Sequence, residues 1–301
     1  MRIAVTGATG FLGRYIVNLL LERGHHCRCW HRPDSDCEGI EDVGGRLAWL
    51  PGELGEPATT TALVQDCAAV VHAALYHPGG GFRGGEGDVV EFVQRNVVGT
   101  IQLIEAARAA GVRRFIFIST CAVHERILDD RVLDENHPLF PTSHYGAHKA
   151  AIEKFIASYG LGLGYDICAL RPTGIYGLAQ PVMRSKWFDL VRRVVRGERV
   201  EVDRGGKEVH VTDVAQAVEV LLEAEGIAGQ AYNCYDRYIC EYDVAATAKE
   251  IAGSDADIVG ERRAPLNEIE THKIEALGVR FGGWTLFEQY IGNLVEAIQA
   301  L

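Results

Sequence analysis

Apolar positions along this chain fall into two rhythms. Residues 2–6, 26–30, 48–50, 69–72, 114–119 and 165–171 are short, strongly apolar or β-branched runs and read as strands. Residues 11–23, 59–65, 89–110, 144–158 and 183–196 repeat apolar positions three and four apart and read as helices. Strands that alternate with helices call for a parallel sheet covered on both faces, with right-handed crossovers between strands. The pattern predicts an α/β fold, a Rossmann-type doubly wound parallel sheet, with a smaller C-terminal lobe. The sheet domain is expected over residues 1–171, with 207–235 returning to it; residues 172–206 and 236–301 are assigned to the lobe. Past Arg171 the rhythm loosens, leaving a short strand at 200–202 and a helix over 211–224 opened by Thr212 and Asp213.

One segment resists both rhythms. Residues 78–87 hold six glycines in ten positions, a density whose backbone entropy neither helix nor strand offsets. It follows a predicted strand end, where open α/β sheets bind ligands, so it reads as a lid or a plain connection.

Composition narrows the classes. The 301 residues are 48% hydrophobic and 24% charged, ordinary for a globular chain with its own core. A formal charge of -11 with no basic patch argues against nucleic acid, whose binding rests on neutralising phosphates. No apolar stretch has the length of a membrane span, and the N-terminus lacks a secretory pattern, so a cytoplasmic location away from membranes is expected. The eight cysteines form no CxxC pair and several lie in strand-like runs; they read as reduced core thiols, and no metal site is expected.

The first candidate chemistry lies at the end of the first strand. Gly7, Gly10 and Gly13 punctuate the turn from strand into helix. Gly7 permits the tight turn, Gly10 lets a pyrophosphate approach the backbone, and Gly13 allows close helix–strand packing. Thr9, Phe11 and Leu12 fill the remainder of this dinucleotide-binding turn. About twenty residues on, where a ribose-binding carboxylate is often placed, the second strand ends in Trp30, His31 and Arg32. Arg32 suits a 2′-phosphate, so NADP(H) is favoured over NAD(H). Arg14, in the first helical turn, is expected at the surface.

Tyr145 and Lys149 form the second constellation. Four residues apart on a helix, they share a face. Lys149 beside a cationic nicotinamide is expected to lower the Tyr145 pKa toward neutrality and to hold the nicotinamide ribose. Thr120, with Ser119 as the fallback, ends an apolar strand where a hydroxyl can orient a substrate oxygen. Other candidates read more plainly: His72 as a satisfied structural histidine, Cys121 as a packed thiol, and Arg192, Arg193 and Arg196 as a solvated helix face. Tyr76, His77 and His124 are placed near the substrate edge.

Taken in order, Thr6–Gly13, residues 71–74, 96–100, Ser119-Thr120, Tyr145–Lys149, 171–177 and 210–214 resemble the extended short-chain dehydrogenase/reductase family, also called the NAD-dependent epimerase/dehydratase family. The resemblance runs to about Val220 and implies hydride transfer at a hydroxyl or keto carbon of a small or sugar-like substrate. It further implies that Ala73 and Ala74 line the cofactor, that Asn96 supports the site, that Pro172 lies near the nicotinamide, and that a homodimer forms through helices 89–110 and 144–158. Two departures follow. Cys121 and Ala122 stand where the family's dehydratases carry Asp-Glu, which removes the acid and base for expelling water. Gly206 stands where nucleotide-sugar epimerases usually carry a diphosphate-gripping arginine, with Lys207 beside it and Arg204 upstream. A net reductase or dehydrogenase is therefore preferred. An epimerase with retained NAD is the alternative, and a non-catalytic NAD(P)-binding regulatory module is the rival from another class.

Overall fold

The computed structural model describes residues 1–79 and 84–301. In chain order the elements are β1 (Arg2–Thr6), α1 (Phe11–Glu22), β2 (His26–His31), β3 (Leu47–Pro51), α2 (Pro57–Val64), β4 (Ala69–His72), α3 (Val89–Val93), α4 (Gly99–Ala109), β5 (Arg114–Ile118), α5 (His144–Ala157) and β6 (Asp166–Pro172). There follow β7 (Gly174–Tyr176), α6 (Phe188–Val195), β8 (Val200–Val202), β9 (Gly205–His210), α7 (Val211–Glu223), β10 (Gln230–Cys234), β11 (Arg237–Cys240), α8 (Glu241–Ala252), β12 (Ile258–Gly260), α9 (His272–Glu275) and α10 (Gly283–Gln299).

Two compact units result. The first takes Met1–Pro172, Ala215–Cys234 and Glu270–Val279. Its seven-stranded sheet runs β10-β6-β5-β4-β1-β2-β3, with every pair parallel. The order reverses direction at β1, and the crevice beside that reversal is where doubly wound sheets bind ligands. Burial on both faces explains the unbroken apolar strands: Ala69 to Val71 and Phe115 to Phe117 are all at most 1% exposed. Leu103, Ile104, Phe115, Phe117, Ile152 and Ile156 pack α4 and α5 onto the sheet.

The second unit takes Thr173–Val214, Tyr235–Ile269 and Arg280–Leu301. It holds a three-stranded sheet, β11-β9-β7, and the pair β12-β8. Its core gathers Tyr176, Phe188, Val191, Phe287, Tyr290 and Leu294. Against the boundaries read from sequence, the return to the first unit starts at Ala215 rather than 207, and Glu270–Val279 goes to that unit as well.

Two of the helices read from sequence are interrupted. Residues 89–110 pass through a π-turn at Gln94–Val98, where Asn96 donates to Phe92 O at 3.0 Å and Thr100 donates to Asn96 O at 2.5 Å. Residues 183–196 break before α6, because Trp187 takes a left-handed conformation with φ 63°. Apolar spacing survives both interruptions, so it concealed them. Of the glycine-rich segment, residues 80–83 lie outside the described residues; at its flanks Gly79 N–H donates to Gly85 O at 2.9 Å. No described helix is long and apolar enough to cross a membrane. Among the described residues no cluster of His, Cys, Asp or Glu is placed to hold a metal ion.

Candidate active site

Gly7 leaves β1 at φ +71°, and a Cβ there would stand 2.7 Å from the Ala73 carbonyl and the Ala74 nitrogen. Only glycine permits this approach. The same residues are tied again by Thr6, whose Oγ1 accepts from Ala74 N at 3.1 Å and hydrogen-bonds His72 Nδ1 at 2.6 Å. His72 Nε2 then meets Thr100 Oγ1 at 2.8 Å. His72 is thus the satisfied structural histidine its sequence position suggests, and burial keeps it neutral.

Gly10 caps α1 without a side-chain bond, and the first turn carries no acid. The N–H groups that open α1 are left for an anion, aligned with the positive end of the helix dipole. Gly13 faces the Gly7 carbonyl, where any Cβ would collide. Thr9 turns its carbonyl to Arg14 Nε at 3.1 Å, and Phe11 and Leu12 begin the helix. This turn suits a dinucleotide pyrophosphate in its geometry and in its lack of negative charge.

Arg14 is not the surface residue the sequence suggested. It is 9% exposed, and its NH2 group bonds both the Asp36 carbonyl and the Asp36 carboxylate at 2.9 Å. It braces the phosphate turn against the loop after β2, and Asp36 balances its charge. Arg32 ends up differently: its side chain is 56% exposed, with Nε 3.6 Å from Asp34 Oδ1. Its backbone N–H donates to Ser35 Oγ at 2.9 Å, which fixes the turn and leaves the guanidinium outside.

Asn96 sits inside the π-turn and acts on the segment after β4. Its Oδ1 accepts from Tyr76 N at 2.8 Å and its Nδ2 donates to Tyr76 O at 2.9 Å. This positions the backbone just past Ala73 and Ala74. Arg95 covers the Tyr76 ring at 4.8 Å and pairs with Glu53 and Glu91.

Helix α5, which carries Tyr145 and Lys149, starts at Ser143, whose Oγ accepts from Gly146 N at 3.0 Å. Glu125 holds this start from outside, accepting from Ser143 N at 2.7 Å and Ser143 Oγ at 2.8 Å. Tyr145, Lys149 and Glu153 then follow at four-residue steps along one face. Tyr145 shares a hydrogen bond with the Thr120 hydroxyl, and the Tyr145 ring lies 5.4 Å from that of His148. Thr120 Oγ1 also accepts from Ala122 N at 3.1 Å, which fixes its rotamer. Lys149 Nζ points to the sheet, donating to Ile118 O at 2.7 Å above the Phe117 ring.

The electrostatics of the cofactor-free protein differ from those expected beside a cationic nicotinamide. Burial raises the Tyr145 phenol above its usual value, and the Thr120 hydrogen bond opposes that only in part. Lys149 is lowered to about 7 by burial, with Glu153 pulling the other way. In the protein alone Lys149 therefore does not depress Tyr145, because its ammonium is spent on Ile118 and is itself desolvated. Tyr145 stays protonated at neutral pH, the form able to give a proton to a carbonyl oxygen.

Ser119 is drawn away from the substrate side. Its Oγ donates to Glu153 Oε1 at 2.5 Å, and Glu153 is doubly bonded by Arg171, with NH2 at 2.6 Å from Oε2. Arg171 also reaches His124 Nε2 at 3.1 Å. Ser119, Glu153, Arg171 and His124 are all at most 6% exposed. The pair locks α5 to the ends of β5 and β6, beside Thr120 and Pro172. Sequence reading missed Glu153 and Glu125; the four-residue step Tyr145, Lys149, Glu153 was the available signal for the first. Cys121 donates to Arg171 O at 3.0 Å, and burial pushes its thiol up to about 12, which favours the thiol over the thiolate. All eight cysteines are free thiols.

The sequence model of the NAD-dependent epimerase/dehydratase family matches residues 3–234. A 4-hydroxy-2-methyl-3-oxo-4-farnesyl-3,4-dihydroquinoline-1-oxide ketoreductase of Stigmatella aurantiaca is 30% identical over 242 residues, covering 77% of this chain and 67% of its own. A 3-beta-hydroxysteroid dehydrogenase of Mycolicibacterium neoaurum is 28% identical over 77% of this chain and 64% of its own, so the match spans about two thirds of each relative. UDP-glucose 4-epimerase of Thermus thermophilus, solved in complex with NAD, shares the fold at TM-score 0.78 and 24% identity over 99% of both chains. On the match over residues 3–234, this chain belongs to the NAD-dependent epimerase/dehydratase family.

Proposed function

We propose that this protein is an NADP(H)-preferring reductase or dehydrogenase acting on a ketone or its alcohol. The observation that carries the reading is the Thr120–Tyr145 hydrogen bond at the carboxyl end of β5, with Lys149 one helical turn on. Tyr145 gives its proton to the substrate oxygen as the carbon is reduced, and takes it back in the reverse direction. Thr120 orients that oxygen and shares its developing charge. Lys149 replenishes charge beside the phenol, and Glu153 with Arg171 keeps the helix seated.

Gly7, Thr9, Gly10, Phe11, Leu12 and Gly13 hold the pyrophosphate, with Ala73, Ala74 and Asn96 along the cofactor and Pro172, Tyr145 and Lys149 at its nicotinamide end. When bound, the nicotinamide supplies or accepts the hydride. Arg32 selects the 2′-phosphate, since its guanidinium is exposed and held only loosely by Asp34. A homodimer forms through α3, α4 and α5, supported by the outward apolar residues Val90 at 78% and Phe155 at 43% exposure. A cytoplasmic site of action accords with eight free thiols.

Fluorescence titration with NADPH and NADH tests the cofactor assignment. NADPH binds more tightly, and Arg32→Ala weakens NADPH about tenfold or more while NADH changes little, the size expected for losing a charge-assisted contact. Tighter NADH binding, or NAD that purifies with the protein, transfers the reading to an epimerase that recycles its cofactor. Cofactor binding with no turnover of any ketone or alcohol points to a regulatory module.

A further inference from the structure

Three successive residues at the end of β5 are each held by α5. Ile118 O accepts from Lys149 Nζ at 2.7 Å, Ser119 Oγ donates to Glu153 Oε1 at 2.5 Å, and the Thr120 hydroxyl shares a hydrogen bond with Tyr145. The outer two involve groups of the proposed reaction, and the middle one does not. Ser119 is 2% exposed and Glu153 6%, so both lie out of reach of a ligand.

The middle bond is built to be rigid. It ends on a carboxylate, and a hydrogen bond to an ionised group is roughly twice as strong as one between neutral hydroxyls such as Thr120 and Tyr145. Glu153 is itself fixed from β6, where Arg171 donates to Oε1 from Nε at 3.0 Å and to Oε2 from Nη2 at 2.6 Å. Arg171 Nη1 donates to His124 Nε2 at 3.1 Å, and burial, with Arg171 adding to it, lowers that imidazole to about 4 and keeps it neutral. His124 ends the short turn Cys121–His124 that Thr120 caps by accepting from Ala122 N at 3.1 Å. Both flanks of Thr120 thus lead back to the Glu153–Arg171 pair. Seating α5 on the sheet needs only that pair and Lys149; the tie to Ser119 is additional.

We propose that Glu153 is a positioning residue for the reaction, which by gripping Ser119 fixes the Thr120 hydroxyl against the Tyr145 phenol. This deepens the ketone–alcohol reading and rests on it. A bond between two neutral hydroxyls holds its own geometry weakly, and a shift of about 1 Å at a reacting centre can cost on the order of 10²-fold in rate. With Ser119 anchored, the next residue in the chain presents its hydroxyl in one place.

The test uses Ser119→Ala, because removing Glu153 would strand the buried Arg171 guanidinium and endanger the fold. Ser119→Ala leaves the ion pair and the Lys149 contact in place. NADPH oxidation is followed with 2-butanone, cyclohexanone and dihydroxyacetone. For whichever ketone turns over, kcat is expected to fall about tenfold or more, while KM, NADPH affinity and melting temperature change little. In a Thr120→Ala background the same substitution is expected to cost less than about twofold, because the group that Ser119 positions is already gone. A merely structural role would lower the rate alike in both backgrounds. Equal losses in the two, or an unchanged kcat in Ser119→Ala, overturn the proposal. If the wild type turns over none of the three ketones, the redox reading fails on its own, and the frame is judged by ¹⁹F NMR of protein labelled with 3-fluorotyrosine. The Tyr145 resonance, identified by its loss in Tyr145→Phe, is expected to move in Ser119→Ala toward its position in Thr120→Ala. Any other result there overturns the proposal.

Discussion

Lys149 donates to a backbone carbonyl in a dry setting, and its position explains both its role and its cost. Its ordinary pKa is about 10.5, and in the fold burial lowers it to about 7. Between those values the unfolded chain binds the extra proton, so this group makes the fold more stable as pH rises from 7 to 10.5. Below 7 its destabilisation is complete. Lys149→Met is therefore expected to melt higher than the wild type at pH 6, with the gain shrinking by pH 9.5. A gain that does not vary with pH would show that Lys149 is not desolvated in this way. Tyr145 behaves oppositely: its raised pKa keeps the phenol protonated, which suits ketone reduction at neutral pH. The sequence made Tyr145, Lys149 and Thr120 visible, because identity and four-residue spacing are linear properties. It hid the direction of the Tyr145 shift, which depends on Lys149 turning to Ile118 O, a contact that no spacing encodes.

At the scale of elements, the turn from β1 into α1 was the most legible feature, since each glycine there answers a local steric demand. Gly13 is the sharpest case: even one methyl group would meet the Gly7 carbonyl. Gly13→Ala is expected to destabilise the first unit by about 1–3 kcal/mol and to weaken NADPH binding, measured by chemical denaturation and titration. Unaltered stability would mean that α1 and the turn are not packed as described. The π-turn at Gln94–Val98 and the break at Trp187 were not legible. Both lie beside side chains that meet partners distant in sequence, Asn96 with Tyr76 and Lys186 with Glu208, which apolar spacing does not encode. Arg14 was misplaced for the same reason: its burial depends on Asp36, twenty-two residues away in a loop without periodicity.

For the whole molecule, alternating strands and helices made the seven-stranded parallel sheet readable, because a buried parallel strand is apolar along its length. The second unit was less so, being assembled from three separated segments whose strands are only three to six residues long. Assembly is a further property at this scale. Light scattering should give about 66 kDa, twice the 33.0 kDa chain, and Val90→Glu with Phe155→Glu should shift it toward 33.0 kDa. A wild-type protein at 33.0 kDa would contradict the dimer.

The central claim is that Tyr145 moves the proton that accompanies hydride transfer. Its most direct test is NADPH oxidation across a panel of ketones by the wild type and Tyr145→Phe, alongside NADPH titration of both. The account predicts turnover slowed about 10²–10⁴-fold in the variant, with NADPH affinity essentially unchanged. A Tyr145→Phe protein that oxidises NADPH at the wild-type rate would contradict it.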